Sequence, residues 1–350
     1  MSSREPSTLS VDEFLSRIVE TLRPDSHNPP FTLIVGGGFS HGVIPVSREM
    51  IPMIPQWLHK EVNSLDAESE FEKRFWAKLS KERDFQLVEN GLPELRSGDH
   101  VSRVYTAAML QGLPTPYLRR KFFRGLCRNA EHRINLAHLY LASILHAQDT
   151  DEWKNRGYSR FCSTIFTTNF DPLLQIALQL VSKLYYMTDR PQTLETPHDE
   201  ENDAIHLIYT HGSIHQAALA NTKQEIRRFA NLQARQLPGY FRRHGVIVIG
   251  YSGWIDSCMT ALTQCDQFDH NLYWCDICRG DSAKTSLRQN VYKFLVNHAD
   301  NAFYVRIDSA DSIMQQIHEA LKLGIAPSMI SNPLPPLLDR FRQIRFPTDA

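Results

Sequence analysis

The sequence predicts an α/β fold, a mostly parallel sheet with helices on both faces, interrupted by a helical insertion. Three observations carry that prediction. Short apolar runs rich in Val and Ile alternate with helical patterns through the second half of the chain. An isolated run of the same kind, Phe31–Val35, stops at three successive glycines, Gly36, Gly37 and Gly38. Between it and the rest lies the stretch 48–152, which holds helical patterns and no convincing strand. Short, continuous, β-branched runs suit parallel strands buried on both faces, and their alternation with helices implies crossover connections.

Taken in chain order, positions 11–22 read as an amphipathic helix. Ser10 is the N-cap, and Val11, Phe14, Leu15, Ile18, Val19 and Leu22 recur at helical spacing. The Pro-containing stretch through Pro29-Pro30 ends it. Phe31–Val35 is the first strand. Further strands are expected at 161–166, 205–209, 246–249, 272–277 and 303–307, with helical patterns at 172–184, 222–236, 256–268, 283–296 and 312–323. Within the insertion, 68–88 and 116–145 have helical periodicity. The organisation read from this is an N-terminal helix at 1–30, an α/β core at 31–47 and 153–325, the insertion at 48–152, and a Pro-rich tail at 326–350. Alternating strands and helices around a Gly-rich first turn make the core Rossmann-like.

Composition narrows the function. The chain has 350 residues, 42% hydrophobic and 22% charged, as in ordinary globular proteins, and a formal net charge of −1. A protein that holds a long polyanion by bulk electrostatics carries a basic excess, so direct nucleic-acid binding is not indicated. Arg119-Arg120-Lys121, Arg227-Arg228 and Arg242-Arg243 read as solvated surface. The first thirty positions are polar, and no apolar run approaches the ~20 residues of a membrane span. Six cysteines are too thinly spread for a disulfide scaffold. A cytoplasmic protein with no membrane association is expected.

In open α/β sheets, ligands sit beyond the carboxyl ends of the strands. Four such ends carry small or polar groups: Gly36-Gly37-Gly38-Phe39-Ser40, Thr167-Thr168-Asn169-Phe170-Asp171, Thr210-His211-Gly212-Ser213 and Gly250-Tyr251-Ser252-Gly253. Glycines after a strand let the backbone approach a phosphate and aim amide N–H groups at it; alone they could equally form a tight turn. No Lys-Ser or Lys-Thr follows at nucleoside-triphosphate-loop spacing. A dehydrogenase fingerprint also fits poorly, because His41 stands where its third glycine belongs and no second strand follows soon enough to offer an acidic residue to a ribose. An asparagine amide both donates and accepts, so Asn169 suits a ribose hydroxyl or a water. His211 suits a general base near neutral pH. Asp171 reads more readily as a local structural group than a chemical one, and His41, His206 and His215 read as bland.

These elements resemble the sirtuin family. Gly36-Gly37-Gly38-Phe39-Ser40 with Ile44-Pro45 is similar to its glycine loop, Thr168-Asn169-Phe170-Asp171 to its Gln-Asn-x-Asp element, His211-Gly212 to its catalytic His-Gly, and Gly250-Tyr251-Ser252 to its nucleotide loop. Arg48 is kept where the family has Asp-Phe-Arg, the Asp being lost. The family's module of two Cys-x-x-Cys pairs is absent: only Cys275-Asp276-Ile277-Cys278 exists, inside an expected strand. Four ligands are needed for a structural zinc site, so no metal is expected. Without that module, the chain looks more like the bacterial antiphage-defence branch that hydrolyses NAD outright.

The resemblance implies NAD as substrate and Asn169 and His211 as catalytic residues. It implies Gly36, Gly37, Gly38, Phe39, Ser40, Arg48, Thr168, Asp171, Gly250, Tyr251 and Ser252 as its binding residues. It further implies an NAD glycohydrolase that acts as an antiviral-defence effector. Such an activity needs restraint, so a homo-oligomer is expected, and a partner such as a HerA-type motor ATPase or another infection sensor. The alternatives are a protein deacylase or ADP-ribosyltransferase, and a non-catalytic NAD-binding scaffold subunit.

Overall fold

The computed structural model describes residues 5–23, 30–83, 85–88, 91–95, 98–130, 133–189, 204–215, 225–228, 231, 237–277, 283 and 287–324. Most of the helix expected at 222–236, the second cysteine of the Cys-x-x-Cys pair and the tail lie outside them. Among the described residues eight parallel strands form one sheet in the order β1-β8-β7-β6-β2-β3-β5-β4. They are β1 (Ser7–Leu9), β2 (Phe31–Val35), β3 (Cys162–Thr167), β4 (Tyr185–Thr188), β5 (Ile205–Tyr209), β6 (Val246–Ile249), β7 (Leu272–Ile277) and β8 (Ala302–Ile307). The six strands expected from the apolar runs are all present, and β2, β5, β6 and the interior of β3 and β7 are buried as fully parallel strands must be.

β1 and β4 are additional, and both lie at the edges. At β4 the expected helix 172–184 stops early. The helix α8 (Leu173–Leu180), which follows the short α7 (Asp151–Asn155), ends four residues sooner, and Ser182 turns the chain with φ of 54°. Tyr185–Thr188 then pairs with β5.

Side chains alternate across the sheet. Leu33, Val35, Ile165, Leu207 and Ile247 face one layer with Phe14 and Ile18 of α1 (Val11–Thr21), α6 (Leu136–Ala147), α8 and α12 (Ala310–Ala320). Ile34, Phe166, Ile208 and Val248 face the other, with α9 (Leu237–Arg243), α10 (Ser257–Thr263) and α11 (Gln289–Asn297). Ser10 caps α1 in a reciprocal capping box with Glu13.

The helices α2 (Ser47–Glu61), α3 (Glu68–Arg83), α4 (Gly98–Gly112) and α5 (Pro116–Ala130) enclose a third cluster around Trp76 and Phe122. Helix α6, which the apolar pattern grouped with them, packs instead on the sheet, because nearly its whole circumference is apolar and buried. Among the described residues no helix is long and apolar enough to cross a membrane.

The chain leaves β2 toward β3, β5 and β4 and returns on its other side at β6, so the direction of winding reverses beside β2. Crevices form at such switch points. Pairing of Val35 with Thr167 and Ile249, and of Thr167 with Tyr209, brings the four strand ends level.

Candidate nucleotide cavity and its polar wall

A cavity of about 570 Å³ opens above this crevice, within the ~300–1,000 Å³ range of small-ligand pockets. Its floor is built where two loops meet. The amide of Gly38 donates to the carbonyl of Gly250 at 2.8 Å, and a Cβ on Gly36 would stand 2.6 Å from Cα of Tyr251. Gly250 has φ of +66°, a region that glycine adopts most readily. The glycine signal therefore has a local structural cause, the contact of two backbones. Gly37 is different: a Cβ there meets nothing nearer than Val46 at 3.8 Å, and the residue lines the cavity.

Gly37, Gly38, Ser40, Arg48, Thr168, Asn169, Asp171, His211, Gly250, Tyr251 and Ser252 all border this one cavity. Two of the expected ligand-binding residues do not. Gly36 lies beneath, against Tyr251, and Phe39 is fully buried, its ring edge-on to His138 at 4.8 Å. Phe39 is thus an anchor of the loop. Its carbonyl accepts from Asn135 Nδ2 at 2.6 Å, tying the loop to the start of α6.

Asn169 donates from Nδ2 to the Gly36 carbonyl and to Ser40 Oγ, both at 3.0 Å. Both amide protons are directed into the glycine loop, so Oδ1 is the polar atom of this cavity-lining residue that remains to accept from a ligand. Asp171 Oδ1 accepts from the amide of Leu173 at 3.1 Å, holding the start of α8. Burial pushes its carboxyl above the usual range, opposed by that amide and by the Ser40 hydroxyl. Arg48 is exposed and donates to the carbonyl of Leu95 at 3.2 Å.

His211 is nearly buried, with Nε2 3.0 Å from Oδ2 of Asp256. Among the described residues neither atom has another polar partner, and the contact is close although its angle falls short of a well-formed hydrogen bond. Asp256 is fully buried. Its Oδ1 accepts from Met259 N at 3.1 Å, capping α10, and from Tyr251 OH at 2.5 Å. Burial raises the Tyr251 phenol, and the Asp256 charge adds to this, so it remains a donor.

Sequence reasoning missed several wall residues. Asp256 looked only like a helix start. Asp276, the penultimate residue of β7, two strands from β2, also lines the cavity; an acidic residue interrupting an apolar run was the available signal. It brings an acidic group to the crevice from far along the chain, on β7, with β6 standing between it and β2. The roof comes from the insertion, through Tyr105 of α4 and Phe123 of α5. Phe123 packs on Phe170 at 4.9 Å, and Tyr105 on Trp254 at 5.7 Å. Arg288 lies over the Trp254 ring at 5.3 Å and donates to Ser102 of α4.

Arg119, read as solvated surface, is buried. It donates to Glu225 at 2.7 Å and to the carbonyls of Leu113 and Pro114, so its guanidinium ties the α4–α5 turn to the segment before α9. Cys275 is a buried thiol, pushed up by burial. Among the described residues no three His, Cys, Asp or Glu side chains gather as a metal site.

Residues 163–289 match the family model described as SIR2-like domain. That segment holds Asn169, His211, Tyr251, Asp256 and Asp276, and begins beyond the glycine loop. Among curated proteins nothing matches the chain. Solved structures that it resembles include one described as "Structural Basis for the Mechanism and Regulation of Sir2 Enzymes", at 11% identity and a TM-score of 0.38, covering 89% of this chain and 97% of that one. Another is a Sir2 mutant with a p53 peptide and NAD, at 14% identity and a TM-score of 0.34, covering 90% of this chain and 100% of that one.

Proposed function

On the premise that the chain carries a SIR2-like domain, we propose that it is an NAD glycohydrolase, releasing nicotinamide and ADP-ribose. The observation that carries this reading is the meeting of Asn169 and His211 on the wall of one roofed cavity beside the glycine loop. The cavity has the features that such a substrate requires. Gly37 leaves open space where a phosphate would approach its backbone, and Arg48 brings a positive charge to the rim. Asp276 stands two strands away for ribose hydroxyls.

Nicotinamide in NAD is already a cationic leaving group, so its departure needs no strong acid. The protein's task is to hold the ribose, tolerate the developing positive charge and supply a nucleophile. Asn169 Oδ1, with its amide protons engaged elsewhere, presents a partial negative charge and an acceptor for a hydroxyl or water. His211 takes a proton from the attacking water. Tyr105, Phe123 and Trp254 cover the site with apolar surface, which strengthens these electrostatic contacts.

The resemblance to defence effectors extends the proposal to a cellular role. NAD depletion would be released by infection, through assembly of copies of the chain or a sensing partner.

The test is nicotinamide release from NAD by the purified chain beside the His211→Ala variant, with an acetyl-lysine peptide in a parallel arm. Release that is lost in the variant and does not need the peptide supports hydrolysis. Turnover only with the peptide would replace it with deacylation, and NAD binding without turnover in any assembly would make the chain a nucleotide-binding subunit.

A further inference from the structure

The two atoms Asp256 Oδ2 and His211 Nε2 are both buried, face one another at 3.0 Å and, among the described residues, have no other polar partner. The rest of Asp256 is committed. Oδ1 takes two donors, Tyr251 OH at 2.5 Å and Met259 N at 3.1 Å, so the carboxylate cannot turn away. The sheet order places β2 and β3 between β6 and β5, so the loop 250–256 has to run back across their ends to bring Asp256 to His211. Nothing in the packing of α10 demands this, since a cap needs only one of the two oxygens.

We infer that Asp256 is a positioning residue for His211: it holds the imidazole as the tautomer protonated on Nε2 and leaves Nδ1 as the base that meets the nucleophile. A ring nitrogen facing a carboxylate carries the proton, and the other nitrogen then keeps its lone pair. Among the described residues Nδ1 has no hydrogen-bond partner, as a base that serves a substrate should not. The imperfect angle of the contact fits a pair that aligns only when the site is filled.

The inference rests on the glycohydrolase reading for its chemistry. As the ribose C1′–N bond opens, its electron pair stays on the nicotinamide nitrogen, which becomes neutral. The water oxygen bonds to C1′, and one water proton passes to Nδ1, giving an imidazolium held by Asp256. That proton then leaves to solvent, so one NAD and one water yield nicotinamide, ADP-ribose and one proton.

Asp256→Asn is the discriminating variant. Asparagine caps helices as well as aspartate, and its carbonyl oxygen can still accept from Tyr251 and Met259. Its NH₂ group, however, faces Nε2 and favours the opposite tautomer. The expected result is a fall in the rate constant for nicotinamide release of ~10²–10⁴-fold at little change in KM. Nitrogen-15 NMR of the histidine rings in the full-length protein, with His211 assigned by His211→Gln, reads the tautomer directly. Nε2–H in the wild type, lost in Asp256→Asn, supports the inference, and a purely capping role would not move that signal. Nδ1–H in the wild type, or turnover by a folded Asp256→Asn within threefold of wild type, overturns it. The spectroscopic arm needs no turnover. A correct tautomer in a chain that never cleaves NAD would sustain the dyad and remove the glycohydrolase reading instead.

Discussion

Gly36 and Tyr251, though 215 positions apart in sequence, touch so closely that a Cβ on the glycine would lie 2.6 Å from the tyrosine Cα. The obstructing atoms are backbone and cannot swing aside. Gly36→Ala is therefore expected to destabilise the fold by about 1–3 kcal/mol. Gly37→Ala, whose nearest neighbour would be a Val46 methyl at 3.8 Å, should unfold within ~0.5 kcal/mol of wild type and yet bind NAD at least about tenfold more weakly. Thermal unfolding with and without NAD separates the two. Equal loss of stability in both variants would mean that the loop serves only packing.

Asn169 is both scaffold and candidate catalyst. Its replacement by alanine removes the donors to the Gly36 carbonyl and to the buried Ser40 hydroxyl. The expected loss is about 1–2 kcal/mol of stability together with nicotinamide release. Asn169→Asp should be worse for the fold than alanine, since it sets a carboxylate oxygen against the Gly36 carbonyl. Chemical denaturation of the two variants gives the order, and the reverse order would mean that the amide does not point into the loop.

The buried strands were legible because being covered on both faces demands an unbroken β-branched run, as Phe31–Val35 and Val246–Ile249 illustrate. The edge strands were not. Ser7–Leu9 is three residues long, and Tyr185–Thr188 continues an apolar helical pattern that only the turn at Ser182 interrupts. The strand-end residues that border the cavity could be collected from sequence, because each follows a recognisable strand. What stayed hidden was contact between separate loops. His211 and Asp256 meet across two intervening strands. Asp276 reaches the crevice through sheet order, and Tyr105 and Phe123 arrive from an insertion whose docking side no periodicity reveals.

Arg119 joins the insertion to the segment before α9. Its guanidinium is buried and serves Glu225 and two carbonyl oxygens, whereas Glu225 is about one-third exposed, at 33%. Removing the cation leaves three acceptors without their donor, so Arg119→Met should lower stability by about 2–4 kcal/mol. Glu225→Gln keeps an acceptor and should lower it by about 1 kcal/mol. The double variant should fall short of the sum, because both changes act on one contact. Strict additivity in denaturant titrations would show that Arg119 works through the carbonyls alone.

Acid should loosen the glycine loop through His138. The ring lies against Phe39 and beside the Asn135 amide that holds the loop, and burial pushes its pKa down from 6.5 to about 3. The folded protein thus keeps the ring neutral, while the unfolded chain takes up a proton below about 6.5. In the window from 6.5 to about 3 the unfolded state binds more protons, so stability rises with pH and falls on acidification. The group's contribution is full above the unfolded value and declines by up to about 1.4 kcal/mol per pH unit below it. His270, His298 and His318, also lowered by burial, tilt the curve in the same direction. His138→Gln can still donate to Asn135 but cannot titrate, so its stability between pH 6.5 and 4.5 should fall less steeply than that of the wild type, by up to about 1.4 kcal/mol per unit. Parallel curves from urea titrations across that range would place the acid sensitivity elsewhere in the molecule.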